Sequence, residues 1–309
     1  MAGDSSVVVG TRTRSAEATR EERWAHYKRS FQLRGWRHLV AIIAALFALF
    51  PVIWIISASF NAIDNLGAAR LIPQQVTLNN FTELFNSAVA PVPTWLFNSF
   101  KVALVAAGLN VIIASFAAYA FSRLRFRGRR GLLTLLLVLQ IFPQFLGFIA
   151  FFVLAQQFGD IVPAIGLNTH LYLIMVYLGG AAGFNAFLIK GYLDSIPASL
   201  DEAAVIDGAS EFGIFSKIIL PLARPMLAVI FIISFVAIFN EFILASFLLQ
   251  GTEQFTLPVG LQAFMGEGYN AKWGLLAATA LLGALPIVAV FLIAQKQIIG
   301  ALTAGATKG

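Results

Sequence analysis

Asp201, Glu202 and Asp207 cluster in the stretch SLDEAAVIDGAS, residues 199–210, of a chain in which only 12% of residues are charged. Carboxylates this close suit acid–base work, a metal ion or the capping of a helix. The first two need further histidines or acids gathered at the same place. The three histidines, His26, His38 and His170, are scattered, and cysteine is absent. The sequence therefore predicts no catalytic residue and no metal site. It also lacks G-x-x-x-x-G-K-[ST], the loop that would cradle a nucleoside triphosphate.

Helix capping fits better. Pro197 precedes Ser199, and Ser199-Leu200-Asp201-Glu202 matches the S-x-x-E capping box. Asp201 and Glu202 suit the positive end of a helix dipole. Gly208 suits the C-cap, where positive φ costs glycine little. This predicts a helix of about eight residues, roughly 12 Å long. A second helix is expected from about Glu211 to Leu220, ending before Pro221 because the residue preceding proline disfavours α geometry. Phe212, Phe215, Ile218 and Ile219 form its apolar stripe, while Leu200, Ala203 and Ala204 share a face of the first helix. So short a helix is marginal alone in water and must pack against its own protein or a partner. A plain stiffened connector is the other reading.

The elements around this stretch are apolar. The 309 residues are 59% hydrophobic with a mean hydropathy of +0.83. Six runs have the length and composition of spanning helices: Leu39–Ser59, Val102–Phe121, Leu132–Phe152, Leu171–Ile189, Met226–Leu249 and Trp273–Gln295. The fused runs near Pro163 leave a re-entrant turn open. Lysine and arginine orient the spans, because short cytoplasmic loops retain them. Eight precede the first span, five lie between the second and third, and Lys190, Lys217 and Arg224 lie between the fourth and fifth. Both termini and the acidic stretch are thereby expected in the cytoplasm. The net charge of +6 is a consequence of topology rather than a sign of nucleic-acid binding. Residues 15–37 read either as a basic surface helix carrying Trp24, Tyr27 and Phe31 or as a solvated tail.

Asn240 and Glu241 fall inside the fifth run. An ionisable group there marks a transport path, an inter-helix hydrogen bond or a misplaced boundary. A secondary transporter is the competing class, but Glu241 is the only acid well within a run, which is thin for an ion relay.

The stretch EAAVIDGASEFGIFSKIILPLARP, residues 202–225, resembles the EAA loop of permease subunits in ABC importers. FNEFILASFLL, TLPVGLQAF, AKWGLLAATALLGALPI and LTAGATKG resemble the carbohydrate-uptake group, and most closely the smaller permease subunit of maltose/maltodextrin importers. The likeness begins near residue 39. Two departures are Phe239, where the group usually has Trp, and Ala301, where it usually has Gly.

The resemblance implies an all-α membrane protein with six transmembrane helices and a cytoplasmic coupling helix-turn-helix. Its parts would be an arm over 1–38, a permease domain over 39–298 with the coupling loop at about 190–225, and a tail over 299–309. It implies import of maltose/maltodextrin or a similar oligosaccharide across a bacterial or archaeal cytoplasmic membrane. The partners would be a larger permease subunit, two ATPase subunits holding ATP and magnesium, and an extracytoplasmic sugar-binding protein. Glu202, Ala203, Ala204, Asp207, Gly208, Ala209 and Phe215 would couple to an ATPase. Thr303, Ala304, Gly305 and Lys308 would reach into the ATPase dimer, unless the tail is simply a frayed end. Pro258, Gly260 and Gln262, in the loop at about Thr252–Tyr269, would meet the binding protein, unless that loop is an ordinary one stiffened by its proline.

Overall fold

The computed structural model describes residues 35–62, 71–73, 75–87, 90–265 and 272–306. Trp24, Tyr27, Phe31, Tyr269 and Lys308 lie outside them. The elements are helical: α1 Gly35–Ser59, α2 Asn79–Asn86, α3 Val92–Arg123, α4 Arg129–Ile141, α5 Phe148–Ile161, α6 His170–Leu193, α7 Ser199–Ile206, α8 Glu211–Phe239, α9 Ile243–Leu248, α10 Leu257–Gly260 and α11 Trp273–Ala306. Four of these (α1, α3, α8 and α11) are long and apolar enough to cross a membrane. The bent pairs α4–α5 and the two halves of α6 raise the number to six.

The spine of the bundle is α3. Ala103, Ala106, Ala107, Ala114 and Ala118 line its inner side and are fully buried. Side chains this small let neighbouring backbones approach closely, which drives helix association where lipid removes the hydrophobic incentive. One core joins Ala103 and Ala107 to Phe235 and Phe239 of α8 and to Leu275 and Ala278 of α11. A second joins Ala114 and Ala118 to Ala186 and Ile189 of α6 and Ile230 of α8. Between the two, Asn185 of α6 donates to Asn110 Oδ1 at 2.6 Å and to Ser234 Oγ at 3.1 Å. Three helices thus meet at one buried polar point. By contrast, α1 is buried only at Ser57, Ala58 and Ser59, where Asn80 of α2 donates to the carbonyls of Ser59 and Asn61.

Several expected boundaries are corrected. The third run is not a straight span. It breaks at Pro143, and α4 and α5 are set 81° apart across a 3-10 turn at Gln144–Gly147. Near Pro163 there is a short 3-10 turn, not the main reversal. The fourth run bends by 51° between Gly180 and Gly183. The fifth ends at Phe239, so Asn240 and Glu241 occupy a break before α9. Pro221 does not end a helix. A π turn at Phe215–Ile219, where Leu220 donates to Phe215, widens the backbone just ahead of the proline, and α8 runs on as one helix. The last helix continues past Gln295 to Ala306, into the expected tail.

Residues 250–264 form a folded cap rather than a free loop. Trp95 Nε1 donates to Thr252 at 2.7 Å, and Asn98 donates to Glu253 and Phe255. Ser99 Oγ accepts from the Leu257 amide at 2.7 Å. Gly260 lies flat on the buried Trp95 ring, and a β-carbon there would come within 2.1 Å of it. Gly260→Ala should therefore destabilise the protein by about 1–3 kcal/mol, the usual range for overpacking, read as a lower unfolding midpoint in detergent.

Candidate functional site

The end of the bundle bearing the α3–α4 arginines also carries α7 and the start of α8. Their connection is tightly determined. The Gly208 amide donates to Val205 and the Ala209 amide to Ala204, the paired bonds of a Schellman motif, with Gly208 at φ +79°. A side chain at Gly208 would bring left-handed strain of about 1–2 kcal/mol. Two residues on, Ser210 caps α8 by accepting from the Gly213 amide.

The capping box expected at Ser199 does not form. Ala198 is the N-cap, and its carbonyl accepts from the Asp201 and Glu202 amides. Pro197 has its φ already set for a helical turn, so the helix begins one residue earlier and Ser199 falls inside it. Asp201, which the box would not have used, has a partner of its own. Its carboxylate meets Arg123 Nε of α3 at 2.6 Å, and both side chains are largely buried. The same guanidinium donates to the Ile196 carbonyl at 2.9 Å. From the α8 side, Tyr119 donates to Glu211 Oε2 at 3.0 Å, and the Phe215 ring stacks against Phe116 and Tyr119 at 4.8 and 5.1 Å.

Asp194, just beyond α6, completes the clamp by accepting from Ser122 at 2.6 Å and from Lys190. Burial works to raise this carboxyl, but the hydrogen bonds from Lys190 and Ser122 outweigh it and hold the group below its ordinary value.

The seven residues expected to couple therefore separate into two layers. Ala204 and Phe215 face inward and belong to the core shared with α3 and α6. Glu202, Ala203, Asp207, Gly208 and Ala209 are exposed. The alanine face is split, with one alanine buried and the other outward. Beside the exposed set stand Val205, Ile206 and Phe212, which are 57%, 86% and 66% exposed. Sequence reasoning missed these three as surface residues, and it missed Arg123, Tyr119 and Glu211 as the supports behind them. The one available signal was the step from Val205 to Ile206, two large apolar residues just ahead of a polar turn.

The other candidates are dispersed. Glu241 is satisfied internally: its carboxylate accepts from Tyr177 Oη at 2.6 Å and from the Leu244 and Ala245 amides, capping α9. Asn240 is exposed, with its amide bonded to the Val236 carbonyl. In the cap over Trp95, Gln262 is exposed and Pro258 half-buried. Gly260 is buried, which leaves it no surface for a partner. Thr303, Ala304 and Gly305 lie on the last turns of α11, far along the chain from α7.

A bundle of broken spanning helices, with a rigid helix-turn-helix clamped to one end, defines a multi-pass membrane protein of the transport class. Residues 110–299 match the family described as the binding-protein-dependent transport system inner membrane component, and the chain belongs to it. It is 42% identical to the galactooligosaccharides transport system permease protein GanQ of Bacillus subtilis (strain 168), over 88% of this chain and 94% of that one. It is 40% identical to the maltose/maltodextrin transport system permease protein MalG of Vibrio parahaemolyticus, covering 91% and 98% of the two chains. The MalG of Escherichia coli (strain K12) is 39% identical, over 88% and 95%. Among solved structures, a chain of a bacterial ABC transporter involved in the import of the acidic polysaccharide alginate superposes with a TM-score of 0.68 at 25% identity, covering 87% of this chain and 98% of that one.

The ion pair between Arg123 and Asp201 should be the main tie between α3 and α7. Removing either partner strands a largely buried charge, at a cost of about 2–4 kcal/mol. The double variant Arg123→Met/Asp201→Leu should recover most of that loss. Thermal unfolding of the four proteins in detergent reads the cycle, and additive losses would show that the two side chains do not depend on each other.

Proposed function

We propose that this chain is one permease subunit of an ATP-driven, binding-protein-dependent sugar importer, with six spans and with both termini and α7 in the cytoplasm. Its cargo is a neutral oligosaccharide of the maltodextrin or galactooligosaccharide kind. The observation that carries this reading is the 39–42% identity, over nearly the full length, to permeases named for those sugars. The lysine and arginine pattern supports the orientation, and the relatives support the cytoplasmic membrane of a bacterium. In this reading the partners are a larger permease subunit, two ATPase subunits that hold ATP and magnesium, and an extracytoplasmic sugar-binding protein.

The geometry supports a mechanical role for α7. Glu202, Ala203, Val205, Ile206 and Phe212 present a mixed apolar and acidic surface outward, where an ATPase cleft would receive it. Asp207, Gly208 and Ala209 hold the turn. Ala204 and Phe215 stand behind and pass displacement to α3 and α8. Coupling then means that ATP-driven closure of the ATPases and the two states of the spans bias each other through one stiff element. Asn240, at an exposed helix break, is assigned to the translocation path. Glu241 holds the break in shape by capping α9. Pro258 and Gln262 are assigned to the binding-protein contact, and Thr303, Ala304, Gly305 and Lys308 to the ATPase dimer.

Burial of one large apolar side chain is worth about 1.5–3 kcal/mol, so Ile206→Asp should weaken ATPase retention about ten- to hundredfold. Glu202→Lys should lower it further while leaving membrane insertion intact. Co-purification of the ATPase and uptake of labelled maltodextrin or galactooligosaccharide by the assembled transporter read the two parts separately. Normal uptake with both substitutions present would sink the docking surface. Failure of the unaltered transporter to take up either sugar would sink the cargo assignment.

A further inference from the structure

The turn between α3 and α4 holds a second site, separate from the α7 surface. A cavity of about 660 Å³ opens there, lined by Arg125, Phe126, Arg129, Arg130, Leu133 and Lys190. Lys190 is paired with Asp194, and Arg129 reaches the Leu124 and Ser122 carbonyls only at 3.4 Å. Arg125 and Arg130 make no hydrogen bond or ion pair among the described residues. Four cations thus border the cavity, and among the described residues Asp194 is the only carboxylate paired with any of them. Arg125 and Arg130 are exposed, so water screens part of their repulsion, and an anion bound between them and Arg129 would remove the rest.

The backbone adds to this. Gly128 and Gly131 also line the cavity, and α4 starts at its wall. Gly128 is the N-cap at φ +85°, with no side-chain cap and no acidic residue in the first turn. The first bond into the helix runs from the Leu132 amide to the Gly128 carbonyl, so the amides of Arg129, Arg130 and Gly131 have no intrahelical acceptor. Free amides at the positive end of a helix favour a phosphate. A compact ion would use only this polar end. Beyond it, however, α4 exposes Leu132, Leu135, Val138 and Leu139 in a continuous series. Charge at the helix start and apolar side chains along its length match a phosphate joined to acyl chains.

We propose that the cavity binds the phosphodiester headgroup of an anionic phospholipid, with the acyl chains lying along α4. The headgroup would neutralise Arg125 and Arg130 and anchor the start of α4 to the membrane surface. That anchor stands a few residues from Arg123, so lipid and α7 load the same end of α3. Assignment to the cytoplasmic leaflet rests on the orientation proposed above; lipid retention does not, and it can be measured whichever way the chain is oriented.

The test uses the full chain and the assembled transporter in phosphatidylcholine nanodiscs doped with phosphatidylglycerol, followed by native mass spectrometry of retained lipid. The unaltered protein should keep phosphatidylglycerol in preference to phosphatidylcholine. Arg130→Gln should keep about fivefold less, the effect of one basic side chain at an anionic membrane surface. Arg127→Gln removes the same charge from the same turn but does not line the cavity, and it should retain lipid as the unaltered protein does. Arg130→Lys preserves the charge that favours correct insertion and should restore most of the binding. Equal retention by Arg130→Gln and the unaltered protein would overturn the site. Equal losses in Arg127→Gln and Arg130→Gln would overturn it in favour of a diffuse positive surface. Displacement of the lipid by excess inorganic phosphate, at matched ionic strength, would assign the cavity to free phosphate. Retention by the isolated chain that vanishes in the assembled transporter would assign it to a partner subunit.

Discussion

The close approach of α6 and α8 to α3, with α11 packed in turn on α8, is the constraint on which the rest of the structure depends. It is possible because α3 presents alanines, not larger residues, along the buried side of its length. In lipid, apolar side chains gain little from leaving the acyl chains for one another, so fit between backbones must hold the helices together. The hydrogen bonds among Asn110, Asn185 and Ser234 add register to that fit. A helix sliding by one turn would leave those polar groups unpaired in an apolar setting, which is costly.

With α3 as spine, the other helices are free to break, and two of the breaks are satisfied by side chains close by. The bend in α6 exposes the Gly180 carbonyl, which Gln140 of α4 reaches at 2.7 Å. The break after Phe239 leaves the α9 amides without acceptors, and the Glu241 carboxylate takes two of them. Irregular backbone at membrane depth survives only where protein supplies its partners in this way. Glu241 is thus an acid at a helix break whose carboxylate accepts three hydrogen bonds, and Asn240 beside it is the residue left facing outward.

The same division between support and surface governs α7. The coupling role proposed for α7 requires that the helix cannot rotate on its mount. Here Arg123 grips Asp201 and Ile196, Ser122 holds Asp194, and the Tyr119–Glu211 bond and the Phe215 ring fasten the next helix. The Schellman turn at Gly208 then makes the two helices one rigid corner. Glu202, Ala203, Val205, Ile206 and Phe212 are left outward, with the turn residues Asp207, Gly208 and Ala209 beside them. The apolar members of that set are exposed because the chain spends its buried positions on Ala204, Ile214 and Phe215.

Much of this was legible in the residues themselves. Runs of apolar residues located four helices long and apolar enough to cross a membrane and the two bent pairs, because lipid demands length and hydropathy that sequence displays directly. Gly208 was readable as a C-cap, because positive φ is nearly glycine's alone, and the spacing of residues 202–225 pointed to the family. The breaks were less legible. Pro143 ends a helix while Pro221 does not, since a π turn makes room for the second and nothing does so for the first. The Ser199 box satisfied its pattern and still failed, because Pro197 began the helix one residue early and Ala198 took the N-cap; Asp201 separately found a partner in Arg123, far away along the chain. Which alanine is buried, and which carboxylate is paired, depended on the α3 residues brought up behind α7. Local spacing specifies the elements, but only tertiary contact decides which face of each is left for a partner.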